Sequence, residues 1–174
     1  MITIISGTNR TDSRTIKISQ FCQELFQEKN QEASLIDLAD LPQDFLFKSL
    51  APDSASDQLF KPMHEEIAKN EKFLFIVPEY NGSFPGVLKT FIDGMSYPSP
   101  FKGKKCALVG LSSGIQGSVL AMSHLTDIFN YLEMSVLAIK PKLSKIDTKM
   151  EAGKLTDPFY IKLLKEQADA LIRF

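Results

Sequence analysis

Several kinds of chemistry are short of raw material in this chain. Its 174 residues include two cysteines, two histidines and no tryptophan, and 20 basic side chains stand against 21 acidic ones for a net charge of −1. Binding a polyanion calls for a basic field, and repelling or mimicking one calls for an acidic field; the sequence has neither, so no nucleic-acid partner is expected. Cys22 and Cys106 lie far apart inside apolar segments. They read as buried reduced thiols in a cytoplasmic protein rather than as a disulfide framework. His64 and His124 stand singly on helical patterns, with no metal-ligand spacing, so no metal is expected. The longest apolar run, counting one glycine, covers residues 106–111, far short of the roughly 20 that cross a bilayer. Residues 2–5 follow the first Met directly, with no basic leader and no small-residue cleavage site, so neither export nor a membrane is expected.

What is present is an ordinary globular balance, 44% hydrophobic and 24% charged, at a length suited to one domain over residues 1–174. Apolar β-rich runs alternate with helical patterns. Residues 2–5 form a strand stopped by Ser6-Gly7, and Ile16, Phe21, Leu25 and Phe26 then recur at helical spacing. A second short strand covers 33–38. Residues 42–57, with Pro42, Pro52 and several Ser and Asp, read as an irregular loop. A helix over 57–69 follows, with Leu59, Phe60, Met63 and Ile67 on one side. Residues 73–77 are continuously apolar, as a strand buried on both faces should be, and Pro78 ends it. Pro85 fits the first turn of a helix carrying Val87, Leu88, Phe91 and Ile92.

Lys102, Lys104 and Lys105 read as a charged flank keeping the next strand soluble. That strand, 106–111, is again doubly buried; residues 112–117 make its turn and 119–132 a helix. Residues 136–139 read as a fifth strand closed by Pro141, and Asp157 is placed to cap a terminal helix that opens with Pro158. Five strands alternating with five helices predict an α/β fold, a three-layer α/β/α sandwich around a five-stranded parallel sheet of order 2-1-3-4-5.

Ligands of such sheets sit outside the carboxyl ends of the strands, near the point where the strand order reverses. Three loops emerge there. The first, Ser6-Gly7-Thr8-Asn9-Arg10-Thr11-Asp12-Ser13-Arg14-Thr15, offers hydroxyls, a guanidinium and the free N–H groups of a helix start. Those are the groups a phosphate needs. The Walker and dinucleotide glycine patterns are both absent, which favours a phosphomonoester over a nucleoside triphosphate. A Ser/Thr-rich helix cap that binds nothing is the plain alternative. The second loop, Pro78-Glu79-Tyr80-Asn81-Gly82-Ser83-Phe84-Pro85-Gly86, is stiffened by two prolines and turned at Asn81-Gly82. A rigid backbone beside an aromatic suits the edge of a flat heterocycle. The third is Ser112-Ser113-Gly114-Ile115-Gln116-Gly117-Ser118.

Residues 78–93, PEYNGSFPGVLKTFID, resemble the signature segment of the NADPH-dependent FMN reductase family, which has a flavodoxin-like fold. Gly7-Thr8-Asn9-Arg10 through Ser13 is similar to that family's phosphate loop, and the third loop to its glycine-containing loop beside the flavin. The resemblance implies that Thr8, Arg10, Ser13 and Thr15 hold the FMN phosphate. By the same carry-over Pro78, Glu79, Tyr80, Asn81 and Gly82 line the isoalloxazine edge, chiefly through the backbone, and Ser112, Ser113, Gly114 and Gly117 lie beside the ring. It further implies a cytoplasmic homodimer or dimer of dimers that takes electrons from NADPH or NADH. They pass through FMN to a small acceptor such as a flavin, quinone or azo compound. Because the flavin carries the chemistry, no catalytic side chain is named. The sequence departs from the family pattern at Ser118, where a second glycine is common, at Thr126 in place of an Arg, and at Gly94 in place of a Trp.

Three other readings meet obstacles. Gly110-Leu111-Ser112-Ser113-Gly114 fits the nucleophile elbow of serine hydrolases. The acid and histidine that should follow the serine in that architecture are not in order, since His124 comes first with no Asp or Glu before it. A response-regulator receiver would want acidic residues after the first strand and an Asp after the third, where Ser6-Gly7 and Pro78-Glu79 stand. A flavodoxin-type electron carrier usually presents a strongly acidic face, which a net charge of −1 does not supply. A flavin-free binding module remains the reading if no FMN binds.

Overall fold

The computed structural model of the chain describes residues 1–48 and 60–174. Strands β1 (Ile2–Ser6), β3 (Lys72–Pro78) and β4 (Lys105–Leu111) lie at the centre of a parallel sheet. Every residue of β1 is buried, as are all but the first of β3 and β4. This is why they read as continuous apolar runs. Strand β2 (Ala33–Asp37) lies at one edge and buries only Ile36. With β5 (Ser135–Val136) at the far edge, the order is β2-β1-β3-β4-β5, the 2-1-3-4-5 arrangement of flavodoxin-like proteins. Its register sets Ser6 opposite Asp37 and Ile76, and Pro78 opposite Leu111, so the first, second and third loops leave the same edge.

Alternate residues along each strand feed two separate cores. Ile4, Leu74, Ile76, Ala107 and Val109 pack under α1 (Arg14–Glu28) and α6 (Pro158–Arg173). Ile5, Phe73, Phe75, Val77 and Leu108 face α3 (Lys61–Lys69), α4 (Gly86–Asp93) and α5 (Val119–Tyr131). The second core is aromatic. Phe60, Phe73, Phe75, Phe91, Phe101 and Phe129 are fully buried, with neighbouring ring centroids 4.6 to 6.4 Å apart. Each such pair contributes about 0.5–1.5 kcal/mol beyond its buried area. Cys22 and Cys106 are free and buried, and burial pushes the Cys22 thiol up to about 12 and the Cys106 thiol up as well.

The structure departs from the sequence expectations where one-dimensional signals are weakest. The fifth strand is not one piece over 136–139. It is split into β5 (Ser135–Val136) and β6 (Lys142–Leu143), both paired with β4. Pro141 does not end it: the Pro141 carbonyl accepts from the Gly110 N–H at 2.9 Å, and pairing resumes at Lys142. A proline without an N–H fits such an interrupted edge. The expected loop over 42–57 contains a short helix, α2 (Phe45–Lys48), in its described part. The helix expected from 57 begins at Lys61, and its first residues fall outside the described ones. Pro85 is the N-cap of α4 rather than part of its first turn.

A small hairpin, β7 (Met150–Glu151) with β8 (Lys154–Leu155), comes between β6 and α6 in the chain, where the sequence reading has no strand. Lys104 is not a solvated flank. It is buried and its Nζ donates to the carbonyls of Ile67 and Ala68 at 2.8 and 2.7 Å, covering the last turn of α3. Asp157 caps α6 as expected, its carboxylate accepting from the Tyr160 N–H at 3.0 Å.

Candidate active site

The first loop begins where backbone meets backbone. A Cβ on Gly7 would lie 2.8 Å from the Ile76 carbonyl oxygen, to which the Gly7 N–H donates at 2.9 Å. Only glycine lets β1 leave the sheet so close to β3. Thr8 is buried, and its Oγ1 lies 2.5 Å from the Tyr80 hydroxyl while accepting from the Arg10 N–H at 3.3 Å. The exposed Arg10 guanidinium sits 4.4 Å from the centre of the Tyr80 ring. Ser13 is the N-cap of α1, its Oγ accepting from the Ile16 N–H at 3.1 Å, which leaves its hydroxyl hydrogen to donate elsewhere. Thr15 is buried in the first turn. The neighbouring cations are already engaged: Arg14 Nε lies 3.0 Å from Asp147 and Lys17 Nζ 2.8 Å from Asp12. The Lys17 ammonium, by hydrogen bond and then by charge, holds the Asp12 carboxyl below its usual range.

In the second loop Asn81 and Gly82 have φ of 51° and 76°. Tyr80 and Ser83 exchange N–H···O=C bonds of 2.8 and 3.0 Å across them. Both central residues in the left-handed region make a two-residue turn of the kind that Asn-Gly favours. A Cβ on Gly82 would meet nothing within 4 Å, so the turn faces open space. The loop is tied to its neighbours at two further points. Glu79 donates its N–H to the Leu111 carbonyl at 3.0 Å, and its Oε2 accepts from the Ser118 N–H at 3.1 Å. Ser83 Oγ lies 2.9 Å from Nδ1 of His124 on α5.

The third loop folds on itself. Ser112 Oγ donates to the Gly114 carbonyl and accepts from the Gly117 N–H, both at 2.9 Å. This hydroxyl is used up inside its own loop and His124 is bonded to Ser83, so the nucleophile-elbow reading has no geometry behind it. Gly117 and Ser118 turn through φ of 60° and 66°. Beneath them Gly110 is required, because a Cβ there would stand 2.4 Å from the Gly117 carbonyl oxygen. Gly114, at the crest, has nothing within 4 Å of an added Cβ. A cavity of about 620 Å³ opens beside the first two loops, lined by Asn9, Leu38, Leu41, Tyr80 and Pro85.

The structure thus brings Thr8, Arg10 and Tyr80 into one cluster and joins Glu79 to the third loop. Tyr80 was read with the ring-edge segment, yet it bridges to the first loop. Sequence reasoning places neither Asp147 nor His124 in this region, and no local motif marks them.

Residues 1–143 match the model of the NADPH-dependent FMN reductase family. The chain belongs to that family. It is 31% identical over 148 residues to a 2-hydroxy-1,4-benzoquinone reductase of Burkholderia sp, an alignment covering 82% of this chain and 76% of the relative. It is also 31% identical over 131 residues to an FMN-dependent NADPH-azoreductase of Staphylococcus aureus, covering 74% and 69% of the two. Among solved structures it is similar to the flavoenzyme NAD(P)H:(acceptor) oxidoreductase FerB of Paracoccus denitrificans. That match has a TM-score of 0.82 and 27% identity, with 99% of this chain and 94% of that one covered. The protein is an FMN-dependent NAD(P)H oxidoreductase, and its cofactor and donor are FMN and NAD(P)H.

Proposed function

We propose that this reductase holds the FMN phosphate with Thr8, Arg10, Ser13 and Thr15 and the edge of the ring with residues 78–82. Ser112, Ser113, Gly114 and Gly117 complete the ring side, and a small quinone accepts the electrons. The observation that carries the placement is the meeting of two unlike surfaces at one sheet edge. Hydroxyls, a guanidinium and a helix start lie on one side; two stiff loops with open backbone at Gly82 and Gly114 lie on the other. A phosphomonoester carrying a flat heterocycle fits that pair, since the first surface supplies charge-assisted donors and the second lets a ring approach the main chain. Bound FMN supplies the redox chemistry, accepting hydride from nicotinamide and releasing electrons to the acceptor. The chain binds, orients and tunes: N–H groups near Asn81, Gly82, Ser113 and Gly114 would stabilise negative charge on the reduced ring.

The choice of a quinone rests on the likeness to a benzoquinone reductase, in a chain whose net charge is −1. The rival reading, a carrier that holds FMN without turning over nicotinamide, is disfavoured by the same lack of acidity. Mixing the purified protein with NADPH in the absence of oxygen separates the two. Bleaching of the visible flavin absorbance, reversed by benzoquinone, is the expected result. A flavin that stays oxidised identifies the carrier.

We further read the protein as a single-domain cytoplasmic homodimer. No helix among the described residues is long and apolar enough to cross a membrane. A groove of about 610 Å³ between α4 and α5, bordered by Tyr97 and Tyr131 at 99% and 87% exposure, is the face offered for pairing. Light scattering at working concentration checks it, and a monomer mass rejects it.

A further inference from the structure

The segment after β6 touches the loops on both sides of the proposed FMN site. Its main chain docks on the third loop: Lys145 N–H donates to the Gly114 carbonyl at 2.8 Å, and Ile146 N–H to the Ser112 carbonyl at 3.0 Å. One residue later, in the 3-10 turn Ile146–Lys149, Asp147 reaches across to the first loop. Its Oδ1 accepts from Arg14 Nε at 3.0 Å, in the first turn of α1 and one residue beyond the cap Ser13. We propose that Asp147 is a positioning residue that ties the phosphate loop to the ring loop, through its own bond to Arg14 on one side and the docked main chain of Lys145 and Ile146 on the other, and so sets the spacing at which FMN is held.

The proposal rests on the placement of FMN given above. Asp147 touches neither FMN nor substrate in that placement; it acts through the two loops. The Ser113 hydroxyl, and then the Arg14 guanidinium, hold its carboxyl below the usual carboxylate range, so it is charged at neutral pH and able to accept from Arg14. Both members of the Arg14–Asp147 pair are nearly half exposed, at 45% and 46%. Such a pair contributes little to global stability. Its value is geometric, because among the described residues the other polar side-chain links between the two elements run through Tyr80 and Glu79.

Charge alone and position make opposite demands here, which gives the test its sign. Asp147→Asn removes a negative charge and frees Arg14 beside the phosphate loop. If Asp147 mattered only through Coulomb's law, FMN would bind more tightly. If it sets the spacing, FMN binds more weakly and so does riboflavin, which lacks the phosphate, because the ring loop is no longer held at its distance from the first loop. The experiment titrates FMN and riboflavin into the apoprotein of the wild type, Asp147→Asn and Asp147→Glu, following quenching of flavin fluorescence, with the thermal midpoint of each apoprotein alongside.

The expected result is roughly a 10-fold loss of affinity for both flavins in Asp147→Asn, equivalent to about 1.4 kcal/mol. The midpoint should be unchanged, and Asp147→Glu should recover most of the affinity. Unchanged or tighter FMN binding overturns the proposal, as does a loss that merely tracks a lowered midpoint. Arg10→Ala in the same titration keeps the placement separate: if that variant binds FMN as the wild type does, the placement fails whatever Asp147 shows.

Discussion

The first loop and the two later ones leave the same edge of the sheet but are held in different ways. The first depends on side chains: a serine cap, the Thr8–Tyr80 contact and a guanidinium resting on an aromatic face. The later loops depend on main chain. Four positions of positive φ in two adjacent pairs, 81–82 and 117–118, and reciprocal backbone bonds across Asn81-Gly82 fix their course. The Ser112 hydroxyl and the Glu79 carboxylate close what remains. The difference matches two kinds of ligand part. A phosphate is a compact charge that mobile donors can follow, whereas a ring edge needs N–H groups set in advance so that little reorganisation accompanies the charge it receives.

Overfilling the rigid side should break this comparison most severely. In Gly110→Ala the new Cβ meets the Gly117 carbonyl oxygen at 2.4 Å, Met122 Cε at 2.8 Å and Ser118 Cβ at 2.9 Å. The backbone of the third loop must move, at a cost of about 3 kcal/mol or more. A thermal midpoint lower by roughly 6–12 °C is expected from calorimetry, with riboflavin affinity lost along with that of FMN.

A smaller effect of opposite sign is expected at Ser118. This residue sits in the left-handed region where glycine is at ease, and its buried Oγ has no hydrogen-bond partner among the described residues. Ser118→Gly relieves both penalties and keeps the N–H that donates to Glu79. Against the entropy glycine adds to the unfolded chain, a net gain of about 1 kcal/mol is expected, or roughly 2–4 °C by the same calorimetry. A lower midpoint would show that the Ser118 Cβ packs usefully on Gly110.

The parts of this arrangement that could be seen in the sequence share one property: their cause is local. Residues 73–77 and 106–111 are apolar throughout because both faces of the central strands are covered. Asn81-Gly82 announces its turn because few other pairs adopt positive φ twice. Ser13 and Asp157 cap their helices by bonds within three residues. What could not be seen is tertiary. Nothing near Tyr80 says that its hydroxyl meets Thr8, and nothing near Asp147 says that it meets Arg14. Lys104 looks like any surface lysine until the carbonyls at the end of α3 are in place. The split edge strand was illegible for a related reason, since pairing on one side only leaves its sequence weakly constrained.

The division of labour between the loops is the central claim, and the dissociation constants of FMN and riboflavin for wild type and Arg10→Ala test it most directly. Loss of a charge-assisted hydrogen bond costs about 1.5–3 kcal/mol. FMN affinity should therefore fall roughly 10- to 100-fold in the variant, while riboflavin affinity stays at the wild-type value and the preference for FMN collapses. Equal losses for both flavins, or no loss for FMN, would contradict the account.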